Sequence, residues 1–167
     1  MGQNDFFPNF DEWRKHAIET KGGLVFAPHD FFVSYGLNQA RHYFTWLEAK
    51  GFEEKVLKPE GWRLPTAEEW EYLILEGVIG PHYCRLKLEA NGYIAKDSMV
   101  SYRRTLSPTG IRYVTNLGER GYYWASDEGG FDTALALGFG SRFIDGDKPV
   151  VHSYMKDYGR SVRCIAV

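Results

Sequence analysis

Three pairs of neighbouring acids are the first residues whose spacing could support chemistry: Glu68-Glu69, Asp127-Glu128, and Asp145 with Asp147 around Gly146. Calcium takes about six to eight oxygens, and Asp127-Glu128 ahead of Gly129-Gly130 offers part of such a set. The first pair has a plainer duty. Thr66-Ala67-Glu68-Glu69 reads as a capping box, with the Thr66 hydroxyl accepting from the Glu69 amide and the Glu69 carboxylate accepting from the Thr66 amide. Asp145-Gly146-Asp147-Lys148 suits a hairpin turn. The five histidines, His16, His29, His42, His82 and His152, show no metal-type pairing. Cys84 and Cys164 are too few for a disulfide framework and wrongly spaced for zinc, so one bridge or two buried reduced thiols both fit. There is no Gly-x-Ser-x-Gly elbow, phosphate loop or Cys/His dyad. The expectation is therefore no metal, no cofactor and no catalytic residue, with binding or assembly as the mode of action.

Binding chemistry is better represented. Tyr and Arg add large contact area at low entropic cost. Tyr123, Asp127, Phe131, Arg142, Phe143, His152, Tyr154 and Tyr158 cluster beside glycine-rich turns in the C-terminal part, and they are the candidate ligand contacts. Strand alternation turns Tyr123 away from Tyr122 and Trp124, which marks it as a surface residue. Trp62, Trp70 and Trp124 are expected in the core.

Helices must come first to position these residues. Asn9 with Glu12 caps a run in which Phe10, Trp13 and Ala17 share a face, ending at Gly22-Gly23. A strand follows at 24–27. A second helix is expected from near Asn38, because Ala40, Tyr43, Phe44 and Leu47 fall at helical spacing, with Gly51 as its stop. The third follows the Thr66 cap, buries Trp70, Leu73 and Ile74, and closes at Gly77. Beyond residue 85 short strands are predicted at 85–88, 100–102, 122–125, 133–139, 142–144, 150–153 and 161–165. Helices followed by antiparallel strands give a single α+β domain over 1–167, with an extra N-terminal helix at about 9–21.

Composition closes off other classes. The chain is 44% hydrophobic and 25% charged, as ordinary globular chains are. A formal charge of -2 with scattered Lys and Arg removes the case for nucleic acid. No stretch reaches the length of a membrane span, and no basic-then-apolar leader opens the sequence. Phe6 stands where a myristoylation signal wants Ser or Thr. The chain is expected to act where it is made, or as a processed fragment, or after leaving the cell inside a particle.

Several motifs also occur in a recognisable order. Gly61-Trp62-Arg63-Leu64-Pro65-Thr66-Ala67-Glu68-Glu69-Trp70 resembles a segment of the Fibrobacter succinogenes major paralogous domain, a group common in Bacteroidetes proteins. Tyr43-Phe44-Thr45-Trp46, Asn91-Gly92-Tyr93, Asn116-Leu117-Gly118 with Gly121-Tyr122-Tyr123-Trp124-Ala125-Ser126, and Tyr158-Gly159-Arg160-Ser161-Val162-Arg163-Cys164 resemble its later motifs, so the likeness covers roughly 40–167. The resemblance implies a C-type-lectin-like fold, distantly related to the formylglycine-generating enzymes. In it two helices flank short antiparallel sheets and the chain ends meet as paired strands. The Glu-Pro-Asn, Gln-Pro-Asp and Trp-Asn-Asp signatures of calcium-dependent sugar binding are absent. An oxidase role needs two close thiols for copper, where this sequence has Cys164 alone near its end. Two roles follow: a module, such as a bacterial cell-surface protein, that recognises a protein or glycan through its C-terminal loops, or a structural protein of a larger particle such as a phage virion, as a capsid decoration, fibre or homo-oligomer subunit.

Overall fold

Local signals set the helix starts. The computed structural model describes residues 7–167 apart from 21, 37–38, 81–82, 85, 107–108 and 141–147. Helix α1 (Phe10–Lys15) begins at Asn9, whose side chain accepts from the Asp11 and Glu12 amides, and it buries Phe10 and Trp13. It ends at His16, earlier than the Gly22-Gly23 stop predicted. Strands β1 (Ile18–Glu19) and β2 (Val25–Phe26) follow, then a hairpin of β3 (Val33–Gly36) and β4 (Gln39–Arg41).

That hairpin corrects the predicted second helix. Helix α2 (Trp46–Phe52) starts only after Thr45, where a capping box with Glu48 fixes its first turn. Tyr43 and Phe44 are buried before the helix begins, Phe44 as a bridge to Arg160, while Leu47 is 68% exposed. Their helical spacing was coincidental. Gly51 does not stop the helix either. The chain runs on through a wide turn at Glu53–Leu57 and a tight one at Lys58–Glu60, until Gly61 takes a left-handed φ of 86°. Glu53 anchors this run: its buried carboxylate accepts from the Leu64 amide at 2.7 Å and from Lys50 at 2.6 Å.

Strand β5 (Trp62–Arg63) leads into α3 (Ala67–Leu75), which carries the predicted Thr66–Glu69 capping box and stops at Gly77. Arg63 grips the same Glu69 carboxylate with two hydrogen bonds, at 2.7 and 2.8 Å. Burial would raise that carboxyl, but Arg63 and the Thr66 amide outweigh it and hold it below the usual range. Strands β6 (Ile79–Gly80), β7 (Tyr83–Cys84) and β8 (Tyr93–Ile94) are short. The strand predicted at 85–88 is therefore displaced to β7. Helix α4 (Lys96–Thr105) replaces the strand predicted at 100–102. Met99 and Tyr102, three residues apart, face the core, and Arg103 and Arg104 favour a helix C-terminus.

After β9 (Val114–Thr115) the long strands come as predicted: β10 (Arg120–Glu128), β11 (Thr133–Gly140) and β12 (Val150–Met155) form one antiparallel sheet. Tyr122 and Trp124 pair with Gly138 and Ala136, so on that face small residues in β11 oppose large rings in β10, while Tyr123 pairs with Leu137. The predicted strand at 142–144 and the turn residues Asp145, Gly146 and Asp147 lie outside the described residues. The last strand, β13 (Ile165–Ala166), is shorter than predicted but joins the chain ends, Ile165 pairing with Phe26 of β2 and with Arg63 of β5. The result is a mixed α+β chain with short antiparallel sheets. No helix among the described residues is long and apolar enough to cross a membrane.

Trp62, Trp70 and Trp124 are core residues, as predicted. Cys164 is a free, fully buried thiol in the same core, and burial pushes it far above the usual thiol range. With Cys84 replaced by serine, Cys164 is expected to resist a thiol reagent in the native state and to react once denatured. Rapid labelling of the native chain would contradict its burial.

Candidate functional site

The C-terminal sheet is covered on both faces, and this decides where the predicted contact residues lie. Tyr123, Ala125, Leu137 and Phe139 pack with Trp70 and Leu73 of α3. Trp124, Ala134 and Ala136 pack on the other side with Phe44, Trp46 and Val162. Alternation therefore turned Tyr123 away from Trp124 as expected, but into a second core layer. Tyr123 is completely buried and is not a surface contact. Asp127 is likewise structural: its carboxylate accepts from the Ala67 amide at 2.8 Å in the first turn of α3.

The other predicted residues divide. Phe131 is 99% exposed at the β10–β11 turn, and His152 is exposed on β12, its ring 5.8 Å from that of Tyr154. Tyr154 and Tyr158 are half-buried and converge on the Arg160 guanidinium. Arg142 and Phe143 lie outside the described residues. Among the described residues no three His, Cys, Asp or Glu side chains gather as a metal site.

A concave feature lies elsewhere among the described residues, in a hollow of about 1130 Å³. Its walls come from short segments after α1, between β2 and β3, before α2 and before β8, joined by Tyr102 of α4, Ile111, Leu117 and Arg163. Asp30 is the centre of its floor. Arg163 Nε donates to Asp30 Oδ1 at 2.9 Å, while Asn91 Nδ2 and the Tyr123 hydroxyl donate to Oδ2 at 2.9 and 3.0 Å. Arg163 is only 3% exposed, and its Nη1 also donates to the Leu86 and Ala27 carbonyls. The Tyr43 hydroxyl donates to the Asn91 carbonyl at 2.5 Å, and the Tyr102 hydroxyl accepts from the His42 and Tyr43 amides. Each member of this floor thus fixes another in place.

Electrostatics make the floor a scaffold. Burial raises the Tyr43 and Tyr123 phenols, with nearby Asp30 adding to it, so both remain neutral donors at ordinary pH. Asp30 accepts three hydrogen bonds, so its carboxylate is engaged within the floor. Desolvation lowers the His42 imidazole, against the opposing pull of Asp30, so His42 is neutral at pH 7. Because the unfolded chain then binds the proton more readily, His42 lowers stability as pH falls through about 6.5. What remains for a ligand is a mixture: His29, His42, Lys87 and Glu89 for hydrogen bonds, and Phe32, Ile111 and Leu117 as apolar surface.

The sequence reading missed this hollow, although four of its residues, Tyr43, Asn91, Leu117 and Arg163, stand inside motifs singled out above. The available signal was Arg163 between Val162 and Cys164, a charge embedded in an apolar strand end. Compared with known proteins, the chain matches no protein-family model and no curated protein.

Proposed function

We propose that the chain is a recognition module with a C-type-lectin-like fold, and that its ligand is a neutral, hydroxyl-rich molecule of the glycan kind seated in the hollow above Asp30. The observation that carries this reading is the saturated floor. A buried Asp–Arg pair contributes little net stability compared with apolar packing, whereas a fully bonded network holds a binding surface in one shape. Its charges cancel internally, and the walls offer donors and acceptors beside apolar patches, the mixture that sugar rings need. The motif order, the paired chain ends and the two capped helices beside short sheets support the fold reading. Catalysis is not part of the proposal, because the deeply buried Cys164 thiol is poorly placed to serve as an oxidase ligand.

A glycan panel read by saturation transfer tests the proposal. His42→Ala and Leu117→Ala are expected to weaken binding roughly tenfold each, about 1.4 kcal/mol, while moving stability by no more than about 0.5 kcal/mol. Binding should hold from neutral pH down to the ordinary imidazole range and weaken only below it, as His42 takes up its proton. Wild-type affinity in both variants would sink the assignment of the hollow.

A second reading, assembly into a larger particle through the C-terminal loops, is favoured by one observation. Phe131 is fully exposed, with Val150 and Met155 also exposed on the outer strand β12. The native mass tests it: a fixed oligomer that Phe131→Ser dissolves supports assembly, and a monomer at all concentrations contradicts it.

A further inference from the structure

Arg160 is 4% exposed, yet among the described residues no acid forms an ion pair with it. Its guanidinium carbon lies 4.5 Å from the ring centre of Tyr154, 4.9 Å from Tyr122, 5.3 Å from Tyr93 and Trp124, and 5.6 Å from Tyr158. Among the described residues its side chain has no hydrogen-bond or ion-pair partner, and Nε is buried without an acceptor. The main chain holds it there, since Arg160 and Phe44 exchange amide–carbonyl bonds at 2.9 Å in both directions. The fold thus fixes the backbone of Arg160, and the surrounding rings frame its guanidinium.

Aromatic faces stabilise the flat faces of a guanidinium, but its five N–H groups point outward in its own plane. Rings do not replace acceptors there, and an unmet buried donor costs free energy that a partner would restore. Burial already strains the charge, pulling the guanidinium down to about 10. Tyr93, Tyr154 and Tyr158 are each half-buried, so one side of this nest reaches the surface. The nest shares no residue with the walls of the hollow.

We propose that the Arg160 nest is a second binding site, which takes a carboxylate carried on a ring. The carboxylate accepts from the guanidinium edge in the two-pronged geometry that suits it, and the ring stacks on the half-exposed tyrosines. A single buried guanidinium framed by half-buried rings suits a lone acid group on a small body better than a broad acidic protein surface.

Titration of the 15N-labelled chain tests this, followed at the Arg160 Nε–Hε signal. Benzoate and glucuronate serve as probes for aromatic and sugar acids, with methyl glucoside and chloride as controls. The expected result is a saturable shift of that signal with one or both acids and none with the controls, and the responding acid identifies the ring type. Arg160→Lys, which keeps the charge but loses the fork, should abolish the saturable response at the neighbouring tyrosine rings. No shift with either acid overturns the proposal, and so does an equal shift with chloride. The wild-type titration decides the matter even if the variant fails to fold.

Discussion

Replacing Asp30 by alanine is expected to cost about 3–5 kcal/mol of folding stability, because it strands a buried guanidinium. Arg163 has almost no access to water and, among the described residues, no other carboxylate, and Tyr123 and Asn91 lose their acceptor at the same time. Asp30→Asn, which keeps an acceptor but removes the charge, should cost less. Combining Asp30→Ala with Arg163→Met should recover part of the loss, since the uncompensated charge goes with its partner. Denaturant midpoints measure all three. A single-variant loss below about 1 kcal/mol would mean that the four groups are not interlocked.

Trp124→Ala should be comparably damaging, at about 3–5 kcal/mol. Trp124 is wholly buried, its indole donates to the Phe44 carbonyl at 2.7 Å, and its ring closes one side of the Arg160 nest. Truncation therefore opens a cavity and removes a bond tying the central sheet to the segment before α2. Leu47→Ala is the control, since that side chain is mostly exposed and should move stability by no more than about 0.5 kcal/mol. A thermal or chemical melt in which the two variants behave alike would contradict the core assignment.

These two residues mark the boundary of what could be read in advance. Trp124, Trp70 and the Thr66–Glu69 box were legible because their signals are local: a capping motif spans four residues, and large rings in apolar runs go inside. The long strands β10 and β11 were legible from apolar runs set between glycine turns. The segment around 40–47 misled because its apolar spacing fits a helix as well as buried extended chain, and only the Thr45–Glu48 box distinguishes them. Tyr123 misled for a different reason. Alternation gives the face a side chain takes, and it cannot say whether that face is wet. The Asp30 floor was not legible at all, because Asp30 lies 61, 93 and 133 residues from Asn91, Tyr123 and Arg163. No window along the chain holds two of these partners together.

The hollow as the ligand site is the central claim, and mapping a bound glycan on the 15N-labelled chain tests it most directly. With the tightest-binding glycan of the panel, the amide signals of His42, Lys87, Glu89 and Asn91 should shift together and saturate at one affinity, which His42→Ala weakens. Shifts confined to the region of Phe131 and His152, with the hollow silent, would contradict it.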